Sequence, residues 1–170
     1  MKTVYILVAM MMTASMASAA EFKLAYVDVQ KAIEKSSAGK KAKEEMKKEA
    51  EKKNKDLEKK KADIDKMRED FDKKKSVLAE EALAKKAQEL QEEMQKFNQI
   101  AQKAQNELGK KENDLLAPIV EKMKKVIEKV AKEKSLSMVI QSNPTAQIVL
   151  YAQADSDITE DVIKAFDKEK

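Results

Sequence analysis

The sequence contains no cysteine and no histidine. Without cysteine there is no disulfide to form and no thiol to protect in an oxidising compartment. Without histidine the commonest general base and the commonest metal ligand are both missing. Ser/His/Asp and Cys/His catalysis are excluded, and so are zinc sites of the Cys/His type. Tryptophan is absent and aromatic residues make up 4% of the chain. Glycine and proline occur twice each, with neither between Lys40 and Leu108. No Gly-rich phosphate loop and no calcium-loop pattern occurs. Acid pairs such as Glu80-Glu81 and Glu92-Glu93 arise by chance among 31 acids. No catalytic, cofactor-binding or metal-ligating residue is therefore expected, and no cofactor.

Long apolar runs are scarce as well. The longest is Val4 to Met12, nine residues behind the positive start Met1-Lys2. It is too short to span a bilayer unaided. Ala17-Ser18-Ala19 follows with the small residues of a cleavage site, so residues 1–20 are expected to be a signal peptide cut after Ala19 or Ala20.

What is present is charge, at 39% of residues, set in a long stretch of helix-forming Lys, Glu, Ala, Gln, Leu and Met. Leu24 to Val29 reads as a strand, and helix follows from near Gln30 to about Lys134. Ser137 to Gln141 and Gln147 to Ala152 read as two further strands, joined by the turn signal Ser142-Asn143-Pro144-Thr145. Asp157 is the expected N-cap of a last helix, with Glu160 three residues on.

The apolar pattern divides the helical stretch in two. A seven-residue repeat runs Ala50, Leu57, Ile64, Phe71, Leu78, and its partner positions Met46, Lys53, Lys60, Met67, Lys74 are half polar. Beyond it a 4-3 repeat runs Leu83, Ala87, Leu90, Met94, Phe97, Ala101, Ala104, Leu108. Continuing the first register would put Glu81 and Lys85 on the seam, so the phase breaks between Leu78 and Leu83. A reversal there gives two arms of about 48 and 55 residues, each about 70–80 Å long at about 1.5 Å per residue. It also returns the chain to its first strand, so that all three strands can share one sheet. An uninterrupted helix would leave the first strand over about 100 Å from the others, with no partner. In the second arm a four-residue stutter passes through Lys111, Leu115, Ile119 and Met123, and Pro118 inside it is expected to kink the helix. The apolar base from Ile119 to Val130 is expected to pack on the sheet.

The expected fold is α+β: a long antiparallel α-helical hairpin with coiled-coil arms, projecting from a small β-sheet body. The arms span 31–134 with a tip near 76–82, and the body is formed by 21–30 and 135–170. So small a body has too little core to stand alone, which points to self-association. Residues 30–134 carry 30 basic and 23 acidic side chains, and the remainder of the mature chain carries 4 and 8. The arms are thus basic and the body acidic.

The order of segments resembles the Skp/OmpH family of periplasmic chaperones. Leu24-Ala25-Tyr26-Val27-Asp28-Val29-Gln30-Lys31-Ala32 resembles the family's first strand and helix entry. Val77-Leu78-Ala79-Glu80-Glu81-Ala82 resembles its hairpin tip, Ile148-Val149-Leu150-Tyr151-Ala152 its late strand, and Asp157-Ile158-Thr159-Glu160-Asp161-Val162 its closing helix. The chain departs from the family at Ala79, where serine is common and would cap the second arm, and at Leu136-Ser137, where Gly-aromatic is common. The resemblance implies a periplasmic homotrimer whose arms hold unfolded outer-membrane proteins without ATP.

Apolar residues at heptad spacing form a seam between arms. Methionine and aromatic residues there also suit an adaptable client surface, and Met67, Phe71, Met94 and Phe97 are the candidate client-binding residues. The lysine-rich arms suit long-range attraction to acidic partners, with anionic lipid surfaces the expected class. Interleaved acids, a single arginine and the export signal argue against physiological nucleic-acid binding. The alternative is a structural coiled-coil spacer or adaptor of the cell envelope.

Overall fold

The computed structural model describes residues 22–143 and 148–169. The expected signal peptide lies outside the described residues, as do Pro144 and Thr145 of the expected turn. Strand β1 (Leu24–Val27) leads into helices α1 (Val29–Lys35), α2 (Ser37–Lys74) and α3 (Glu80–Glu133). Strand β2 (Met138–Gln141), a short 3-10 turn (Ala154–Ser156) and helix α4 (Thr159–Lys168) follow.

Helices α2 and α3 pack against each other as an antiparallel hairpin. They hold 38 and 54 residues, or about 57 and 81 Å of helix. The chain reverses through 75–79, where the amides of Val77 and Leu78 both donate to the Lys74 carbonyl. Ala79 stands at the N-cap of α3 with no side-chain cap bond, so Glu80 and Glu81 in the first turn are left to balance the positive end of the helix. The helix is continuous through Pro118, although proline withholds one backbone donor there.

The helical stretch is broken once more than expected, at Ser36. Its ψ of 154° takes the backbone out of helix. Its hydroxyl donates to the Ile33 carbonyl at 2.8 Å and accepts from the Gly39 amide at 3.1 Å, closing α1 and opening α2. The turn is tight enough that a Cβ on Gly39 would lie 1.8 Å from the Ile33 oxygen.

The two strands pair in parallel, Leu24 opposite Met138 through Val27 opposite Gln141. One face of the sheet turns Ala25 and Val27 into the core. There they join Met123, Val126 and Val130 of α3 and Val162 and Phe166 of α4. The base of the second arm therefore packs where its apolar residues thicken. The ammonium of Lys122 lies 4.7 Å above the Phe166 ring. The other face of the sheet leaves Leu24 and Met138 exposed.

Two expectations about the body are corrected. The segment 148–152 is not a strand, and Ile148, Leu150 and Tyr151 are 62%, 88% and 86% exposed. β1 offers it no free edge, because β2 takes one side and a bridge from Tyr26 to Asp157 takes the other. That bridge also displaces the cap of the last helix. Ile158 donates its amide to the Tyr26 carbonyl at 3.0 Å, and Ile158, not Asp157, occupies the N-cap position of α4. The Asp157 carboxylate still accepts from the Thr159 amide at 2.9 Å. The Thr159 hydroxyl in turn accepts from the Asp28 amide at 3.0 Å, tying α4 to the end of β1.

Candidate functional site

Beyond the base, the arms touch along a seam that fully buries only Ala104 among the described residues. On α2 the half-buried positions include Met46, Ala50, Lys53, Leu57, Ile64, Met67 and Phe71, while Lys60 and Lys74 are exposed. The expected half-polar register is therefore the one that faces α3. On α3 the half-buried positions are Leu83, Lys86, Leu90, Glu93, Phe97, Ile100 and Ala101, leading to buried Ala104. The expected seam is thus rotated towards the tip, where Ala87 and Met94 are exposed and Lys86 and Glu93 take their places, while Ala101 is half-buried as expected. Long polar side chains can lay their methylene stems along such a seam and keep their charged ends in water.

Charge crosses the seam at two levels. Lys53, with its side chain 26% exposed, bonds Glu107, and Lys111 bonds Glu45 at 2.5 Å. The hydrogen bond from Lys53 holds the Glu107 carboxyl below its ordinary range, and the same bond raises Lys53. The bond to Glu45 raises Lys111. These pairs bridge the arms at those two levels, and no such pair joins α2 to α3 beyond Lys53 towards the tip among the described residues.

Of the four residues singled out in the sequence, Met67, Phe71 and Phe97 are half-buried along the seam, and Met94 is 47% exposed. Phe71 and Met94 are brought together in an open cleft of about 380 Å³, with Leu90, Gln91 and Gln95 beside them. A second groove, missed in the sequence, lies where the arms join the body. It holds about 750 Å³ and is lined by Val27, Ile33, Met46, Leu115, Val120 and Ile127, among others. Its only legible trace was the thickening of apolar residues below Pro118. Among the described residues no cluster of acids could hold a metal ion, and no helix is long and apolar enough to cross a membrane. The arrangement is suited to contact over an extended surface.

Comparison with known proteins gives a family and a fold. A family model described as "Outer membrane protein (OmpH-like)" matches residues 23–166. The fold matches the crystal structure of a candidate outer membrane chaperone (OmpH-like) from Caulobacter crescentus CB15 with a TM-score of 0.75. The identity is 22%, over 88% of this chain and 86% of that one. No curated protein sequence matches the chain significantly.

Proposed function

Given that the chain belongs to the OmpH-like family of outer membrane proteins, we propose that it is an ATP-independent periplasmic holdase for unfolded outer-membrane proteins. The observation that carries the reading is the open hairpin: two long arms, a partly closed seam, and Met94 and Phe71 together in a cleft reachable from solvent. Such a surface binds without turnover. Each apolar contact with a client is weak, and several arms acting on one client raise the effective affinity. The basic arms speed encounter, and enclosure keeps unpaired client strand edges from one another. Met67 and Phe97 join the client surface when the distal arms part.

The active form in this reading is a homotrimer joined through the body. Two features support self-association: the open sheet face bearing Leu24 and Met138, and the exposed apolar segment from Ile148 to Tyr151. Residues 1–20 act as the export signal, residues 21–30 with 135–170 as the oligomerisation body, and residues 31–134 as arms whose tip lies near 76–82. The lysines also suit contact with anionic lipid headgroups, and physiological nucleic-acid binding forms no part of the reading.

Light scattering tests it. An unfolded outer-membrane β-barrel protein diluted from urea should stay clear at near-stoichiometric amounts of the chain. Unchanged scattering would instead favour a structural spacer of the envelope. Raising salt should slow client association strongly and change dissociation much less, since the Debye length falls from about 10 Å at 0.1 M to about 3 Å at 1 M.

A further inference from the structure

Helix α3 carries a long strip without charge. Twelve positions from Ala84 to Gly109, following one another at helical spacing, contain no Lys, Arg, Asp or Glu in a chain that is 39% charged. At about 103° per residue, the 3.5-residue turn of a coiled-coil arm, they form one facet about 100° wide and about 39 Å long. Six of the twelve are amides: Gln88, Gln91, Gln95, Asn98, Gln102 and Gln105. Alanine, Met94, Leu108 and Gly109 fill the rest. All six amides are exposed. Gln88 donates to Glu92 at 2.9 Å, and the side chains of the other five have no protein partner among the described residues. Helix α2 has nothing comparable, with Asn54 its only amide side chain.

A face that serves solubility alone would be charged, as most of the remaining exposed surface of both arms is. An amide offers an acceptor and two donors without a charge to desolvate. That is the complement of a polypeptide backbone, which offers one N–H and one C=O per residue whatever its side chains. Resting on the holdase reading, we propose that this facet binds the extended, unpaired backbone of a client strand through side-chain amide hydrogen bonds, with Met94 and its cleft taking an apolar client side chain. The dimensions agree. A transmembrane β-strand of about 9–11 residues at about 3.3 Å each is about 30–36 Å long, and it fits within the facet. The amides recur every three or four residues, about 4.5–6 Å, in two rows that each repeat every seven residues, about 10.5 Å, and neither spacing matches the two-residue repeat of a strand at about 6.7 Å. The facet therefore fixes no register and accepts unrelated sequences.

The test separates hydrogen bonding from apolar contact by sign. The combined substitutions Gln91→Met, Gln95→Met, Asn98→Leu and Gln102→Met keep shape, remove the amides and make the facet more apolar. Affinity for an unfolded outer-membrane β-barrel protein should fall about tenfold or more, with helical content and mass in solution unchanged. The swap Gln91→Asn, Gln95→Asn, Asn98→Gln and Gln102→Asn keeps the amides and should bind like the parent. Equal or tighter binding by the Met/Leu variant overturns the proposal and leaves the holdase reading standing. A change in that variant's oligomeric mass without client also overturns it, since the facet would then join copies of this chain. On the unaltered protein, an extended peptide of about eleven residues should displace the client, and its backbone N-methylated form should do so about tenfold less well. Equal displacement overturns the proposal as well. A parent that holds no client removes the holdase reading, and this inference with it.

Discussion

The two glycines should respond in opposite directions to the same substitution. Both lie in helix without positive φ, so neither is needed for its backbone freedom. Alanine in a helix interior is worth roughly 0.5–1 kcal/mol over glycine. At Gly109 nothing lies within 4 Å of the added Cβ, so Gly109→Ala should gain that amount. At Gly39 the new Cβ would sit 1.8 Å from the Ile33 oxygen and 3.1 Å from the Ser36 hydroxyl. The oxygen is backbone, held by the Ser36 hydroxyl and amide, so α1 and α2 must move apart. Loss of the Ser36 cap costs about 1 kcal/mol, and displacement in a packed site about 1–3 kcal/mol. Set against the helical gain, Gly39→Ala should lose about 1–3 kcal/mol. Urea unfolding followed by far-ultraviolet circular dichroism reads both, at one protein concentration because self-association adds stability. With an m-value of about 2 kcal/mol/M, the midpoint should fall by about 0.5–1.5 M for Gly39→Ala and rise by about 0.3–0.5 M for Gly109→Ala, with m unchanged. Shifts of the same sign in the two variants would refute the reasoning.

Three further outcomes are expected. Met123 is fully buried between the second arm and the body, so Met123→Ala should destabilise by about 2–5 kcal/mol in the same assay, and a loss below about 1 kcal/mol would show that the site collapses without strain. Backbone amides between 60 and 95 should exchange with deuterium much faster than those of β1, because buried residues gather at the base of the arms; equal protection would count against partly closed distal arms. Stability should pass through a plateau in pH. The depressed carboxyls of Glu93 and Glu107 contribute above the ordinary carboxylate range, and that contribution is lost as pH falls through their folded values. The raised Lys53 and Lys111 contribute below the ordinary lysine range, and that is lost as pH rises through theirs. Thermal unfolding from acid to base should show both edges, weaker in 1 M salt, and a midpoint independent of pH would refute the role of the pairs.

The hairpin was legible because two constraints agreed. The apolar phase breaks after Leu78, and only a reversal brings the chain back to β1. The break at Ser36 has only a local signal, a serine with Gly39 three residues on, inside a stretch free of proline whose composition favours unbroken helix. The rotation of the distal seam is not legible from polarity, because Lys86 and Glu93 are charged residues whose stems are apolar enough to lie along it. The strand expected at 147–152 had the right residue types, but strand formation depends on an available edge, and within one chain β1 has none to spare. The amide facet needs no coordinates to be seen as a pattern. That its six amides are exposed, and five of them unengaged, required the structure.

The parallel pairing of β1 with β2 has a consequence for how the chain folds. The Lys23 amide donates to the Ser137 hydroxyl across 114 positions of sequence. Closing a flexible loop of that length costs about 2 kcal/mol more than closing one of ten residues, which would slow folding in the manner of a high contact order. The arms remove the penalty if they zip first, because helix growth and inter-arm contact starting at the 75–79 reversal shorten the open loop turn by turn. Damage near the tip would then lengthen the wait before the sheet can close, lowering the folding rate while leaving the unfolding rate of the finished body nearly untouched. The arms are in this sense the body's own assembly jig, used once by each chain before they meet anything else.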